Sequence, residues 1–270
     1  MKKILLKIFL LSISINFVYA LELTEPQNYI FKYNQNFGKI DGFVQIPKGG
    51  KYNTATPNKP EFRELGIEKI NYSEFEIRTE WEDLFLYTGI NFNTFKGKAE
   101  IKYNLVSHDK VIPKHSNVET KHKYISTVFG AGYYIFKNKK IKIAPTLEFS
   151  ISKFDYQYKV KTPQNSEVSS GRSFGWGALH LGIDSFYKLT DSNHLNFNIK
   201  YAVPYDSIKN WVTIEIVDKQ NLYKNETEEL NLLFGIGVKD FEYRDTQKEM
   251  QNFMKHKISP ILKIGIEYKI

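Results

Sequence analysis

The segment ISPILKIGIEYKI (258–270), at the end of the sequence, shows a pattern of side chains that also recurs in the residues before it. Apolar or aromatic side chains stand at alternate positions, namely Ile258, Leu262, Ile264, Ile266, Tyr268 and Ile270. Small, polar or charged residues stand between them, namely Ser259, Lys263, Gly265, Glu267 and Lys269. Because successive side chains of a β-strand point to opposite faces of its sheet, this pattern predicts a strand with one apolar and one polar face.

The same alternation recurs along the chain and predicts an all-β fold. It is complete from Lys98 to Leu105, where charged or amide side chains alternate with apolar ones. Other segments that show the pattern, some of them more weakly, are 66–81, 84–95, 121–136, 140–151, 172–187, 194–203, 211–217 and 229–238. Together with 98–105 and 258–270 they make ten predicted strands, an even number as bacterial single-chain barrels require.

Two architectures produce such strands. A soluble sandwich turns the apolar faces inward, whereas an outer-membrane barrel turns them toward lipid and its polar faces toward the lumen. Aromatic residues toward strand ends favour the barrel, as do long segments such as 140–161, because sandwich strands usually have ~5–6 residues. Connections that alternate in length favour it too. The predicted tight turns are FKGK (95–98), KNKK (137–140) and KLTDSN (188–193), and the predicted longer loops are 107–120 and 162–171.

The end of the chain resembles the C-terminal signature of bacterial outer-membrane β-barrel proteins. Tyr268 stands at the third position from the end of an alternating strand that stops on an apolar residue. Most of those proteins end in phenylalanine or tryptophan, whereas this chain ends in Ile270. The resemblance implies an antiparallel transmembrane β-barrel of a Gram-negative bacterium, with outer-membrane lipid and the barrel-assembly machinery as partners. It does not single out one barrel family.

Residues 1–20, MKKILLKIFLLSISINFVYA, have the form of a bacterial secretory signal peptide. Lysines precede an apolar stretch, and Val18 and Ala20 occupy the −3 and −1 positions of a small-residue cleavage site. The apolar stretch is interrupted by polar residues and falls short of the ~20 residues of a spanning helix. We therefore expect cleavage before Leu21, export by a Sec-type route and location in the cell outer membrane.

Composition excludes several classes of protein. The chain of 270 residues has no cysteine, which excludes a disulfide scaffold, a cysteine nucleophile and a lipoprotein anchor. Its 38 basic residues include Lys2, Lys3 and Lys7 of the leader, so the mature chain would carry 35 basic and 30 acidic residues. A net charge of +5 without a concentrated basic stripe predicts no nucleic-acid partner.

The predicted organisation is a leader (1–20), an N-terminal segment (21–65) and a barrel (66–270) of about ten strands, with a range of 8 to 12. The N-terminal segment has three possible roles. It could add strands through NYIFKY (29–34) and IDGFVQI (40–46), lie in the periplasm, or plug the lumen.

Two places in the predicted barrel are irregular. The apolar phase of 140–161 flips at Ser152–Lys153, which predicts a bulge or a strand leaving the membrane. Residues 240–256 carry Met250, Phe253 and Met254 at helical spacing, which predicts a short helix in the last outer loop.

The polar strand faces are expected to line the lumen, and they carry charges of both signs. The predicted pore-lining residues are Glu76, Arg78, Lys98, Glu100, Lys102, Lys142, Glu148, Lys200, Lys263 and Glu267. Unpaired charge in a narrow, poorly hydrated space is costly, so opposite charges are expected to pair. Two alternatives remain, a plugged barrel with a polar core and a narrow, porin-like pore.

Weak catalytic candidates come as two pairs, His122 with Ser126 and His180 with Asp184. Each pair is four residues apart and so lies on one strand face. Four residues of strand span about 13 Å, far beyond the ~3 Å reach of a general base. Neighbouring strands would therefore have to supply the partners, and the sequence contains no hydrolase motif that identifies them.

Neither a metal nor a cofactor is predicted. His108, His115 and His122 bracket one predicted outer loop, but their spacing of seven matches no compact ligand motif. The first function hypothesis is therefore a non-enzymatic outer-membrane barrel, either a structural or surface protein with an extracellular ligand or a narrow pore for a small solute. The second is an outer-membrane hydrolase acting on lipid or peptide at the barrel rim. The third is a soluble periplasmic β-sandwich.

Overall fold

A computed structural model describes residues 25–45, 59–107, 109–164, 166–244 and 253–270. Its ten long strands are β1 (Asn28–Val44), β2 (Lys69–Glu80), β3 (Leu84–Glu100), β4 (Asn117–Tyr133), β5 (Ile141–Lys161), β6 (Glu167–Lys188), β7 (Asn193–Ala202), β8 (Ile208–Lys224), β9 (Glu229–Arg244) and β10 (Phe253–Lys269). The shorter elements are a 3-10 helix (Phe62–Leu65), a small hairpin (Leu105–Ser107 with Lys110–Ile112) and an edge segment (Phe136–Lys137). The predicted leader and His108 lie outside the described residues.

The ten strands form a closed antiparallel barrel. Consecutive strands pair with one another, and β1 closes the ring by pairing with β10, from Ile30 opposite Lys269 to Val44 opposite Met254. The predicted ten-stranded antiparallel barrel is confirmed. Within the described parts of the chain, no helix is long and apolar enough to cross a membrane.

Two of the predicted strands differ from the observed ones. FKGK (95–98) is not a turn, because β3 runs through it. The predicted strands 84–95 and 98–105 are therefore largely one strand. The barrel reaches ten strands because it includes β1, so it begins at Asn28 instead of residue 66. Gly97 permits a close backbone approach instead of a turn, since a Cβ atom there would lie 2.1 Å from the carbonyl oxygen of Gly66.

The two ends of the barrel differ in their connections. The end that holds the start of β1 and the end of β10, called here the lower end, has short connections: 81–83, 134–140, 189–192 and 225–228. At the opposite, upper end the described residues between strands are 45, 59–68, 101–107, 109–116, 162–164, 166 and 203–207. The predicted turns 137–140 and 188–193 therefore lie at the lower end. In outer-membrane barrels the short turns face the periplasm.

An apolar band surrounds the lower part of the outer wall. Each strand exposes large apolar side chains there, for example Phe31, Phe75, Phe92, Phe129, Phe149, Leu181, Phe197, Ile216, Phe234 and Ile264. On β4 the band runs from Ile125 to Tyr133, about 26 Å along the strand and roughly 20 Å across a membrane for strands tilted by about 40°. Exposed aromatic residues mark its lower edge, including Tyr29, Tyr133, Phe136 and Tyr187. The apolar band of outer-membrane barrels is about 25 Å tall, a little more than this height.

Strand β5 explains the predicted phase flip at Ser152–Lys153. Its pairing with β4 and β6 is continuous through these residues, so the predicted bulge is wrong. The described even-numbered side chains face the interior on both sides of this point, but they change from polar, such as Glu148, to apolar, such as Phe154. The outer side chains change in the opposite sense, from Ile151 to Lys153. The other alternative, a strand leaving the membrane, fits this observation.

The upper part of the barrel encloses an apolar core. Its buried members include Ile40, Phe95, Val118, Phe154, Trp176, Trp211, Phe241, Tyr243, Met254 and Ile258. The segment between β1 and β2 inserts Phe62, Leu65 and Ile67 into this core, each at most 1% exposed. The loop between β3 and β4 adds Ile101, Leu105 and Ile112. These two insertions, called here the cap, fill the upper end of the barrel.

Two expectations about the last two strands, β9 and β10, are wrong. Residues 240–244 and 253–256 are strand, so the part of the predicted 240–256 helix that the structure describes is wrong. A register shift lies opposite Gly38–Ile40 of β1 and Gly237–Lys239 of β9. Because of this shift, Ile258 faces the interior and is 2% exposed, although Leu262 and Ile264 face outward.

Candidate functional site: the barrel interior

The interior at the level of the apolar band is filled by ion pairs. Lys263 of β10 contacts Glu215 of β8 at 2.8 Å and Glu74 of β2 at 3.1 Å, across the lumen. Its side chain is 6% exposed. Charge-assisted hydrogen bonds of this length offset the loss of hydration of the three groups, so this cluster joins three strands through their interior faces.

A second group of charges lies closer to the lower end. Lys32 contacts Glu76 at 2.9 Å and Glu267 at 3.8 Å. Lys219 also contacts Glu267, and it reaches Glu229 at 3.6 Å. These pairs connect strands β1, β2, β8, β9 and β10 across the lumen, which leaves a narrow, bridged interior.

Arg78 anchors the lower mouth of the lumen. Its guanidinium contacts Glu80 at 2.9 Å and Asp184 at 3.0 Å, and donates to the hydroxyl of Tyr134 at 2.7 Å. It also stacks over the ring of Phe85 at 3.5 Å. A planar, multidentate cation suits this position, because one side chain binds two carboxylates and a hydroxyl at once.

Glu148 lies at the centre of a third cluster, with Lys200 and Tyr87 as its partners. The Lys200 ammonium forms an ion pair with it, and the Tyr87 hydroxyl donates to it at 2.9 Å. Gly130 makes room for this tyrosine, since a Cβ atom there would lie 2.2 Å from the Tyr87 ring. Cavities of about 90, 100 and 120 Å³ remain between the lumen side chains, which is space for a few water molecules.

The predicted pore-lining residues separate into two groups. Those on the interior face are Glu76, Arg78, Lys142, Glu148, Lys200, Lys263 and Glu267. Lys98, Glu100 and Lys102 do not line the interior, and their placement there is corrected. Lys98 is exposed on the outer face of β3 and pairs with Glu119, while Glu100 receives a 2.5 Å hydrogen bond from His115 at the rim. The wrong placement has one cause, the turn predicted at 95–98. Strand β3 continues through these residues, and its even-numbered side chains stay on the outer face.

The structure separates the predicted catalytic pairs. Asp184 is bound to Arg78, 106 residues away in sequence, and not to His180. Ser126 receives a 2.9 Å hydrogen bond from Ser152. His122 packs edge-on against Phe62, Phe95 and Phe154, with ring centroids 5.1–5.9 Å apart. As the spacing of four residues predicted, partners come from other strands, Arg78 for Asp184 and Ser152 for Ser126.

One serine–histidine contact was missed by the sequence analysis. The hydroxyl of Ser150 lies 3.1 Å from Nε2 of His180, on the neighbouring strand. Strand registration produces this contact, because Glu148 is opposite His180 and Ser150 is its diagonal neighbour. Both residues are at most 3% exposed, and His180 Nδ1 has no hydrogen-bond partner among the described residues. The pair therefore lacks the third group that orients the histidine of a catalytic triad.

The cap is held in place by polar contacts at its edge. The Tyr103 hydroxyl donates to Glu64 at 2.9 Å, which joins the two inserted segments. Burial and this hydrogen bond raise the pKa of Tyr103 above its usual value, so the donor stays protonated at physiological pH. His115 lies at the rim and His122 in the core beneath. Among the described residues no group of three His, Asp or Glu side chains is arranged to hold a metal.

Comparison with known proteins defines the fold. No protein-family model and no curated protein matches the sequence. The outer membrane protease OmpT of Escherichia coli is similar in structure, with a TM-score of 0.51 and 8% identity over 91% of this chain and 97% of that chain. Further matches are the attachment invasion locus protein Ail of Yersinia pestis (TM-score 0.31, 10% identity, 88% of this chain and 98% of that chain) and the toluene transporter TbuX of Ralstonia pickettii (0.39, 8%, 92% and 90%). In fold, this chain is similar to bacterial outer-membrane β-barrel proteins.

Proposed function

We propose that the protein is a non-enzymatic barrel of the outer membrane whose interior is closed and whose upper end acts at the cell surface. The observation that carries the proposal is the apolar core above the polar lumen. An ion that crossed the barrel would have to leave the charged lumen and pass Phe62, Leu65 and Ile67 without hydration. A closed interior favours the structural or surface role over the narrow pore.

The lumen supports the same proposal. Lys32, Arg78, Lys200, Lys219 and Lys263 each contact at least one carboxylate across or along the wall. Fixed cross-links of this kind stiffen a barrel, and they leave few charges available to attract a passing solute. We therefore infer that the lumen serves stability, and that any solute or extracellular ligand is met by the upper loops.

Insertion into the outer membrane follows from the apolar band in combination with the predicted leader. A band about 20 Å high that surrounds the barrel would be unfavourable in water, because it exposes large contiguous apolar surface. Export by the Sec route and assembly by the barrel-assembly machinery remain expectations from the leader and from the C-terminal strand.

The experiment that tests the proposal is single-channel conductance of the folded protein in a planar bilayer. We expect no discrete steps from wild-type protein that an unboiled gel shows to be folded. A matched variant with serine at positions 62 and 65 (F62S/L65S) loosens the cap without touching the lumen. Steps from this variant alone would place the closure in the cap, whereas steps from wild-type protein would establish a pore and overturn the proposal.

The alternative, a hydrolase, is favoured by a single contact, the 3.1 Å approach of Ser150 to His180. OmpT, similar in fold, is described as a protease, but at 8% identity that similarity concerns the fold alone. Hydrolysis of ester and peptide substrates by the folded protein tests this alternative. Activity that is lost in Ser150→Ala and kept in Ser126→Ala would establish the enzyme, and equal background in all three proteins would exclude this pair as its active site.

A further inference from the structure

Strand β6 has an unpaired edge in its upper part. On one side it pairs with β5 along nearly its whole length. On the other side, β7 reaches only residues 180–188. The last main-chain contact on that side is the N–H of Val203, which donates to the carbonyl oxygen of Leu179. Among the described residues, no main-chain group pairs with 167–178 on this side.

The free main-chain groups belong to odd-numbered residues. In an antiparallel ladder the N–H and C=O of one residue point to the same side, and those of the next residue point to the other. The Leu179 carbonyl points toward β7, and the Thr162 N–H donates to the Ser166 carbonyl where β5 turns into β6. The register between β5 and β6 is unbroken, so the even-numbered residues of β6 face β5. The residues whose N–H and C=O groups face the open side are Ser169, Gly171, Ser173, Gly175 and Gly177.

This open edge lies above the apolar band. Gly177 stands opposite Ile151, an outward residue of the band, and the edge continues upward from there. All of the odd-numbered residues from Ser169 to Gly177 are exposed, and this stretch of strand is about 26 Å long. In water, a row of unpaired N–H and C=O groups on an edge strand is a template for pairing with another extended segment.

The outward positions of the edge lack the residues that commonly protect edge strands. Lysine and proline on an edge strand discourage pairing with another chain. The odd-numbered positions 169–177 hold only glycine and serine. An added strand would therefore meet no bulky outward side chain on β6, and its own side chains would have room to fold over the glycines.

A trough in the outer face of the sheet meets this edge. It crosses β3, β4, β5 and β6 and has a volume of about 900 Å³. Ser169 and Gly171 line its end on β6. The side chains of Thr120 and Tyr158 point into the barrel and are 4% exposed, so their main chain forms part of the trough floor. A side chain from a strand added beside β6 therefore has open space across Gly171.

The lining of the trough is basic. Its charged side chains are four lysines and one glutamate: Lys96, Lys98, Lys121, Lys159 and Glu119. Lys98 pairs with Glu119, and Lys159 pairs with Glu167. Lys96 and Lys121 stand opposite each other and form no ion pair within the described parts of the chain. Because like charges in directly opposite positions repel, an acidic side chain in the trough is favourable.

A second copy of the chain does not fit this edge within one membrane. Two copies inserted in the same direction have β6 strands that both rise away from the membrane. With strands tilted by about 40°, copies related by an axis along the membrane normal would cross their β6 strands at about 80°, which prevents a ladder. Charge complementarity with the trough instead favours an acidic segment of a different polypeptide.

We propose that the open edge of β6 binds an extended, acidic segment of a partner polypeptide, which adds a strand beside β6. Main-chain hydrogen bonds with the edge supply affinity, and an acidic side chain that crosses Gly171 into the trough supplies the preference for acidic sequences. The inference rests on the proposed surface role of the upper end. It does not depend on the closed interior, so conductance by wild-type protein would leave it intact.

The test measures peptide binding by the full-length protein folded in detergent micelles. The probe is a fluorescein-labelled peptide of five Thr-Glu repeats, and fluorescence anisotropy gives its affinity. The variant S169P/S173P removes N–H groups on the open side and keeps the pairing with β5, because those groups point away from β5. We expect affinity to fall by on the order of tenfold or more. The control S169A/S173A keeps the N–H groups and should bind like wild type.

Two further measurements test the edge and the trough separately. Amide hydrogen exchange of wild type should show the odd-numbered amides of 169–177 exchanging freely without the probe and protected with it. This measurement decides the question alone if an unboiled gel shows that the proline variant does not fold. A peptide of five Thr-Lys repeats should bind wild type on the order of tenfold more weakly than the acidic probe.

Several outcomes would overturn the proposal. Equal binding of the acidic probe by the folded proline variant and wild type would show charge attraction alone. Slow exchange of the odd-numbered amides before the probe is added would show that the edge is already covered. Protection that rises with protein concentration in the absence of peptide would assign the edge to a second copy. Equal affinity for the two peptides would remove the acidic partner.

Discussion

The lower and upper halves of the barrel are built from the same strands with opposite polarity. In the lower half of β5, Leu147 faces outward and Glu148 faces the lumen; in the upper half, Lys153 faces outward and Phe154 faces the core. The backbone pairing is unbroken across the change. The barrel wall therefore has the same backbone structure in both halves. The polarity of the side chains on its two faces follows the medium outside it, hydrocarbon or water.

The two interiors are stabilised in different ways. The lower interior depends on a few directional contacts, such as those of Lys263 and Arg78. Removing one partner of such a contact leaves the other as a buried charge without its counter-charge. The upper interior depends on close packing of aromatic side chains; the ring of Trp176 lies 5.2 Å from those of Phe241 and Tyr243. The difference predicts unequal responses to substitution, given below from the largest expected effect to the smallest.

Loss of a lumen cation should have the largest effect. Lys263→Met leaves the carboxylates of Glu74 and Glu215 without their shared ammonium partner in a buried site. We expect the free energy of unfolding to fall by about 3–5 kcal/mol. Urea titration of the protein in detergent micelles measures this change. The control Lys209→Met removes an exposed ammonium, and a loss as small as the control's would refute the structural role of the lumen pairs.

Truncation of a side chain in the upper core should have the second-largest effect on stability. Phe241 is 1% exposed and contacts Trp176 and Trp211, so Phe241→Ala should cost about 3–4 kcal/mol through lost burial and a cavity. Phe234 on the same strand faces outward within the band and is 41% exposed. Phe234→Ala should cost clearly less in the same titration. Equal losses would contradict the assignment of the two residues to different environments.

Reversing the polarity of an outward side chain of β5 should have an intermediate effect. The size of the effect depends on whether the residue lies within or above the apolar band. Leu147→Lys places a charge on the lipid face, which costs about 2–3 kcal/mol near the middle of the bilayer. Lys153→Leu, above the boundary, should change stability by less than about 1 kcal/mol. Unfolding in phospholipid vesicles measures both. If Leu147→Lys were neutral, the band would not lie in hydrocarbon.

Acidification should weaken the upper core by the smallest amount. His122 lies above the band among phenylalanine rings, and burial lowers its pKa from 6.5 to about 3. Below pH 6.5 the unfolded chain takes up a proton that the folded protein does not, so stability falls as pH falls from about 6.5 toward 3. At pH 5 the expected loss is about 2 kcal/mol. Burial also lowers the pKa of His256, which adds to the loss in the same direction.

The control for the pH effect is His122→Phe. This variant keeps an aromatic ring in the pocket and removes the proton site, so its stability should depend less on pH than that of wild type between pH 7 and pH 5. Parallel pH profiles of the two proteins would show that the pKa of His122 is the same in the folded and unfolded states, which would contradict its burial.

Much of the fold could be predicted because alternation is a local property of the sequence. Each side chain of a strand points to one of two faces, so 140–151, 194–203 and 229–238 are recognisable as strands without knowledge of their neighbours. The errors arose where local pattern and tertiary role diverge. FKGK has the composition of a turn, yet its glycine accommodates the backbone of the cap. Residues 240–256 have helical spacing, yet strand pairing determines the conformation of the described parts, 240–244 and 253–256.

The sequence by itself determined most of the strands, the alternation of their polar and apolar side chains and the all-β class, because these depend on residues close together in the chain. Only the tertiary structure decided which charges meet, that Asp184 binds Arg78, that Ser150 reaches His180, and that residues 59–68 close the upper end. Those contacts depend on the register between strands and on the closure of the ring by β1 and β10. Register is a relation between distant segments, and one sequence read along its length does not contain it explicitly.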